Sequence, residues 1–138
     1  MSLKNFGNVL DFAIEIEQQD TAFLQGILQD RASESRQEEF KAWSKENTKN
    51  TKKLLRERQE NVTEMILEPI QGLDEAAYTL DPSQIGGDPL HEAHAREQRA
   101  EAFYAEAAER LKPVSEVATT FRRLGTKHKA RRERLEAE

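Results

Sequence analysis

Two glutamates, Glu17 and Glu97, hold equivalent places in a repeated segment of the chain. The repeat keeps identical residues at a constant offset of 80 in the pairs Leu10/Leu90, Ala13/Ala93, Glu17/Glu97, Gln18/Gln98, Ala22/Ala102 and Phe23/Phe103. Helical periodicity places each glutamate on the apolar face of its helix, where a leucine is expected. A buried carboxylate must be paired, protonated or bound to a metal. We therefore expect the groups that neutralise these two side chains to determine what the protein can do.

A looser repeat adds further polar residues to the same buried faces. At an offset of 81 it aligns Phe40 with Phe121, Trp43 with Leu124, Leu54 with Leu135, Asn47 with His128 and Asn50 with Arg131. Each half of the chain thus contributes one glutamate and, from its following helix, one polar pair spaced i, i+3 on a single face. The predicted central polar network contains Glu17, Asn47, Asn50, Glu97, His128 and Arg131.

Four amphipathic helices must position these side chains. Apolar periodicity predicts helices over about 4–31, 36–67, 89–111 and 113–136 of a single domain that spans residues 1–138. Ser35 with Glu38 is a capping-box signal, and Asp88 followed by Pro89 is typical of a helix start. Short turns connect the first helix to the second and the third to the fourth, which favours two antiparallel hairpins.

A long crossover, residues 69–88, joins the two hairpins. Fully extended, it would reach roughly 65 Å, whereas a helix of the predicted length measures about 35 Å. It can therefore run the length of the bundle and start the third helix parallel to the second, with a short helical turn around Tyr78 on the way. Two duplicated hairpins joined by one long crossover predict an all-α, ferritin-like four-helix bundle.

Composition excludes several classes of protein. The 138 residues are 36% hydrophobic and 34% charged, a balance that suits long amphipathic helices with narrow buried stripes. The chain has no cysteine, so disulfides, thiolate metal sites and thiol catalysis are excluded. No apolar run approaches the roughly 20 residues that span a bilayer, and no signal peptide is evident. We expect a soluble, cytoplasmic protein that does not bind membranes.

The distribution of charge bears on nucleic-acid binding. The net charge is −5, but one segment near the end is basic through Arg122, Arg123, Lys127, Lys129, Arg131, Arg132 and Arg134. These residues lack interleaved aromatic side chains and wind around their helix. We therefore expect a solvated face that pairs with acidic neighbours, and no nucleic-acid partner.

The chain resembles the rubrerythrin family of the ferritin-like superfamily over nearly its whole length. The clearest local matches are the sequence Ala-Ile-Glu-Ile-Glu at 13–17, the segment 97–111, and Phe40 and Phe121. The resemblance implies a centre of two irons that reduces peroxide or handles oxygen. In the family, one Glu from each first helix and a Glu-x-x-His motif on each second helix bind the irons. Glu17 and Glu97 stand at the first-helix ligand positions.

The chain departs from this pattern on the second helices, so the di-iron site is degenerate. Asn47-x-x-Asn50 and His128-x-x-Arg131 stand where the family has Glu-x-x-His. Two irons would bring more positive charge than two carboxylates balance, and Arg131 adds another cation to the same buried space. We do not expect a working di-iron centre.

Two interpretations of the centre remain open. In the first, a hydrogen-bonded network replaces the metal, no residue is catalytic, no cofactor is needed, and the bundle is structural or binds a partner. Arg131 and a protonated His128 then neutralise the two glutamates. In the second, Glu17, Glu97 and His128 hold one iron, manganese or zinc ion in an oxidoreductase that handles peroxide or oxygen, and Arg131 points away.

Other features leave the assembly open. Long bundles of this class often pair along their sides, and Phe23 and Ile27 lie beside the buried stripe, so a homodimer is compatible with the sequence. His91 and His94 fall in the first turns of the third helix, where solvent-exposed histidines are common. The sequence does not identify a substrate or a physiological partner.

Overall fold

Four long helices account for most of the chain. A computed structural model describes residues 5–60, 70, 72–80, 88–112 and 115–137. The helices are α1 (Phe6–Ile27), α2 (Gln37–Glu60), α3 (Pro89–Arg110) and α4 (Ser115–Glu136), with short 3₁₀ helices at Arg31–Arg36 and Glu75–Tyr78. The described residues contain no β-strand, so the all-α, four-helix prediction is confirmed for them.

Side-chain caps fix where two of the helices begin. The carboxylate of Asp88 accepts a hydrogen bond from the N–H of Leu90 at 3.0 Å, and Pro89 occupies the first turn of α3, as predicted. Asn5 caps α1 in the same way by accepting a hydrogen bond from the N–H of Asn8 at 2.8 Å. In both cases a short polar side chain satisfies a backbone donor that has no partner inside the helix.

The predicted bounds of α1 and α2 need correction. The helix expected to reach residue 31 ends at Ile27, because the N–H of Asp30 bonds to the carbonyl of Ile27 at 3.0 Å and closes a turn. The capping box at Ser35 is wrong: this residue lies inside a 3₁₀ helix, whereas an N-cap needs extended backbone. The expected continuation of α2 to residue 67 lies outside the described residues.

Contacts within each hairpin show the direction of the helices. Asp11 near the start of α1 bonds Arg58 near the end of α2, with a distance of 2.8 Å between Oδ1 and Nε. In the second pair, His94 near the start of α3 lies 2.6 Å from Glu136 at the end of α4. Early residues of one helix thus meet late residues of its partner, and both hairpins are antiparallel.

Contacts between the hairpins follow the same rule. The rings of Phe12 in α1 and Phe103 in α3 pack edge to face, with centroids 5.1 Å apart, while Asp20 further along α1 bonds Arg96 nearer the start of α3. In the α2–α4 pair, Glu57 late in α2 accepts a hydrogen bond from Thr120 early in α4 at 2.9 Å. Each of these neighbouring pairs is antiparallel.

The apolar core is divided into two clusters. The larger one surrounds Phe103, Tyr104 and Phe121, and the smaller one, at the other end of the bundle, contains Leu24, Phe40, Trp43 and Ala93. Every helix that crosses from one cluster to the other passes through a polar layer. The six residues of the predicted network occupy these crossing positions, for example Glu97 between Ala93 and Ala100.

The crossover packs on the α1–α3 side of the bundle. Its 3₁₀ helix confirms the helical turn predicted near Tyr78, whose ring lies 5.5 Å from that of Phe103. Thr79 and Leu80 line a cavity together with residues of α1 and α3. Among the described residues, no helix combines the length and the apolar character that a membrane crossing requires.

Phe23 and Ile27, which lie beside the buried stripe of α1, are only partly exposed. Both are half-buried and pack against the smaller cluster, and the guanidinium of Arg96 lies 4.7 Å from the ring of Phe23. In the described part of the chain, Leu55 is the large hydrophobic residue that remains exposed. The homodimer stays a prediction.

Two helical glycines give a direct test of the α3–α4 packing. A Cβ built on Gly125 would lie 3.3 Å from the Cβ of the fully buried Tyr104, whereas a Cβ on Gly26 would meet nothing within 4 Å. Gly26→Ala should therefore stabilise the protein by up to about 1 kcal/mol through helix propensity. Gly125→Ala should not be stabilised in this way, because the new Cβ would lie too close to the Cβ of Tyr104. That atom can move only together with its helix. Urea unfolding measures both, and equal stabilisation by the two variants would contradict the close contact.

Candidate functional site

The structure brings all six predicted polar residues into one buried layer. None of them exposes more than 5% of its surface, although four carry an ionisable group: Glu17, Asn47, Asn50, Glu97, His128 and Arg131. They come from all four helices. Because buried charge is costly without partners, the hydrogen bonds within this layer determine its chemistry.

The imidazole of His128 lies between the two glutamates. Its Nδ1 is 2.5 Å from Oε1 of Glu97, and its Nε2 is 2.9 Å from Oε2 of Glu17. An ionised carboxylate can only accept hydrogen bonds, so both ring nitrogens must donate. A histidine that donates from both nitrogens is protonated, and we assign His128 as an imidazolium on this ground.

The electrostatics agree with that assignment. Burial opposes the charge of His128, but Glu17 and Glu97 together raise the pKa of the imidazole to about 10. Burial would likewise raise the pKa of Glu17, yet the charge of His128 and three donated hydrogen bonds lower it below its usual value. The two groups therefore stabilise each other's charged forms.

Glu17 receives two more hydrogen bonds, one of them from a residue that the repeat did not single out. The amide of Asn50 donates at 3.0 Å, and the hydroxyl of Tyr104 donates at 2.7 Å. The Tyr104 ring also stacks on His128, with centroids 5.6 Å apart and planes 7° apart. Burial and the nearby Glu17 hold the pKa of Tyr104 well above 10, so the phenol stays a donor.

Arg131 contacts Glu97 and residues of α2 rather than Glu17. Its Nη1 donates to the side-chain oxygen of Asn47 at 2.7 Å and lies 3.5 Å from Oε2 of Glu97. Its Nη2 donates to Glu46 at 2.5 Å, so a carboxylate outside the predicted network joins the centre. The side-chain amide nitrogen of Asn47 has no hydrogen-bond partner among the described residues. The asparagines thus fill the remaining positions only in part.

The same atoms decide whether the centre fits a metal ion. Glu17 and Glu97 meet opposite nitrogens of the His128 ring, so the three side chains do not converge on one point. A metal site would require Arg131 to point away from the carboxylates, but Arg131 contacts Glu97. Within the described ranges, no group of three or more histidines and carboxylates is arranged to hold a metal. The residues as arranged do not fit iron, manganese or zinc.

The histidines near the start of α3 form no second site. His94 bonds Glu136 across the helix pair at 2.6 Å, away from Glu97. His91 is exposed. Both therefore behave as the surface residues that their position predicts.

A second buried ionic cluster lies one turn from Glu17 and was not predicted. Asp20 of α1 is only 2% exposed. Its Oδ1 accepts hydrogen bonds from Arg99 at 2.7 Å and from Arg96 at 2.8 Å. Burial raises the pKa of Asp20 to about 6 despite these two cations. Arg99 also donates to the carbonyl of Tyr78 at 3.1 Å and thereby attaches the crossover.

The comparisons with known proteins give no identification. The chain matches no protein-family model, and it shows no significant similarity to a curated protein or to a solved structure. Membership of the rubrerythrin family therefore stays a prediction from the residues that carry the resemblance. Function has to be argued from the site.

The raised pKa of His128 predicts how stability depends on pH. The folded pKa of about 10 exceeds the ordinary value of 6.5, so the stabilisation from this group is complete below about pH 6.5 and is lost as the pH rises towards 10. We expect the free energy of unfolding to fall by a few kcal/mol between about pH 7 and about pH 9. In His128→Gln this fall should largely disappear.

His94→Gln is the matched control, because His94 also contacts a carboxylate but lies partly in solvent. It should preserve the fall in stability, since solvent screens an exposed pair. Urea unfolding at each pH measures the effect. A His128→Gln protein with the same pH dependence as the parent chain would show that His128 is not the buried cation.

Proposed function

We propose that this chain is a rubrerythrin-like member of the ferritin-like superfamily in which a polar network takes the place of the di-iron centre. It acts as a structural or partner-binding bundle and not as an enzyme. One observation carries the proposal: both nitrogens of His128 bind the two glutamates that the family would use as iron ligands.

The order of the helix contacts supports the ferritin-like topology. Both α2 and α3 run antiparallel to α1, so they run parallel to each other. A parallel connection between them must cross the length of the bundle, which is the feature that separates this topology from a simple up-and-down bundle. The crossover contact of Tyr78 with Arg99 is consistent with such a path.

The charge balance supports a centre without metal. Within the buried layer, His128 and Arg131 supply two positive charges, and Glu17 and Glu97 supply two negative ones. Glu46, which also bonds Arg131, is 38% exposed and is screened by solvent. The most exposed of the six network residues is Asn50, at 5%, so the layer offers no surface to a substrate. The three hydrogen bonds on Glu17 leave it no role as a free base or nucleophile.

A structural role follows from the way in which the network joins the helices. Glu17 of α1 bonds Asn50 of α2, Tyr104 of α3 and His128 of α4. Sliding α4 past α1 would separate His128 from Glu17 and break a buried ion pair, at a cost of about 3–5 kcal/mol. Sliding α2 or α3 would remove a hydrogen bond from the same buried carboxylate. The network therefore favours one register of the four helices, as buried polar groups do in some coiled coils.

The alternative is a metal-binding oxidoreductase that uses Glu17, Glu97 and His128. It would require His128 to lose a proton and release one carboxylate, and Arg131 to leave Glu97. No contact in the described residues favours that rearrangement.

Thermal unfolding in the presence of Fe²⁺, Mn²⁺ or Zn²⁺ tests the proposal. A metal that binds the folded chain at a hundredfold excess over its Kd adds about 2.7 kcal/mol to stability. We expect no such gain, and substoichiometric metal in protein purified from cells grown with added iron and zinc.

Metal binding by surface histidines is tested by repeating the thermal unfolding with the double variant His91→Gln/His94→Gln. Stabilisation by a metal that persists in this double variant but vanishes in Glu97→Gln would establish a central metal site. That result would overturn the proposal in favour of the oxidoreductase.

A further inference from the structure

The basic residues of α4 fall into two groups. Arg132 bonds Glu101 at 2.5 Å, and Arg134 bonds Glu39, so this end of the helix pairs with acidic neighbours as the sequence predicted. Arg123 and Lys127, by contrast, are exposed and form no ion pair or side-chain hydrogen bond with the described residues. Their charge is therefore available to a partner.

Arg123 and Lys127 lie on the flank of α4 that faces α2. Two residues define this flank: Thr120 bonds Glu57 of α2, and Arg134 bonds Glu39 of α2. Arg123 and Lys127 follow Thr120 by three and seven residues, spacings that return to the same side of a helix. Sequence alone could not show this, because the basic residues wind around α4 and the sequence does not identify the flank that faces α2.

The facing flank of α2 is also basic. Glu46 and Glu57 mark its contacts with α4, and Lys49, Lys53 and Arg56 repeat between them at spacings of three and four residues, which return to the same side of the helix. Because the helices are antiparallel, this stretch lies opposite the stretch of α4 that contains the two free cations. We call the basic face the set Lys49, Lys53, Arg56, Arg123 and Lys127.

The basic face is short and is bounded by the exposed Glu60 of α2 and Glu116 of α4. Lys53 lies 3.3 Å from Glu57, while Lys49 and Arg56 are exposed and have no ion pair among the described residues. Along α2 it extends about 10 Å, from the rise of 1.5 Å per residue. Its positive charge contrasts with the net charge of −5 of the whole chain. The crossover contacts described above are on the α1–α3 side, across the bundle from this face.

We propose that the basic face is a docking surface for an acidic polypeptide segment. The proposal rests on the partner-binding part of the proposed function. Cations on successive turns of one helix are about 5–6 Å apart, which matches carboxylates spaced i, i+3 or i+4 on an acidic helix. Charge complementarity of this kind steers association and determines which partner binds.

Other polyanions fit the basic face less well. It contains no aromatic side chain on which a nucleic-acid base could stack. A long nucleic acid would extend beyond its 10 Å length onto a protein of net negative charge, which repels it. A lipid surface would favour apolar side chains beside the cations, and the basic face has none.

A fluorescently labelled, glutamate-rich helical peptide is the probe, with fluorescence anisotropy at low salt as the measurement. We expect saturable binding that weakens with added salt, and no binding of the same peptide with glutamine in place of glutamate. Arg123→Gln/Lys127→Gln should weaken binding about tenfold. Arg122→Gln/Lys129→Gln is the matched control: it removes the same charge from exposed residues of the same helix, on the flank towards α3.

The proposal fails if the acidic peptide does not bind, or if both double variants weaken binding equally. It also fails if a single-stranded oligonucleotide or vesicles of anionic lipid bind the chain more tightly than the peptide does. Circular dichroism of each variant verifies that the fold is intact. A negative result here would leave the metal-free centre untouched, because the metal titration does not involve the basic face.

Discussion

A buried imidazolium held between two carboxylates is the interaction on which this bundle depends. Without the proton on His128, Glu17 and Glu97 would place two like charges in the interior, next to a ring that could donate to only one of them. The network also separates the larger apolar cluster from the smaller one. Hydrophobic packing therefore holds each end of the bundle, whereas ionic pairing and hydrogen bonds connect the helices in the middle.

The duplicated halves of the chain give an asymmetric centre. Glu17 accepts hydrogen bonds from His128, Asn50 and Tyr104. Glu97 instead contacts His128 and Arg131. The main reason is the polar pair on the second helix of each half, which is Asn47 and Asn50 in the first half and the cationic His128 and Arg131 in the second. Each half thus forms an antiparallel pair of helices, while the second half supplies the cations that contact both glutamates.

The central layer could be predicted from the sequence because a glutamate in an apolar stripe is a strong signal for burial. The atoms that satisfy it could not be predicted in full. From the sequence, Tyr104 is expected to be an ordinary core aromatic residue. In the structure, its hydroxyl donates a hydrogen bond to Glu17. Asp20 lies one turn from Glu17 at the edge of the stripe, where periodicity does not distinguish a solvated carboxylate from one covered by Arg96 and Arg99. Periodicity identifies a face of a helix, but the partner across the interface depends on packing.

Nuclear magnetic resonance of the His128 ring tests whether this buried histidine is an imidazolium. With isotope-labelled protein, the imidazole nitrogen shifts report the protonation of each ring nitrogen as the pH is raised. We expect both nitrogens to carry a proton well above neutral pH and the ring to titrate at about 10. A His128 ring that loses its proton near the ordinary value of 6.5 would contradict this expectation, because Glu17 and Glu97 would then lack the cation that lies between them.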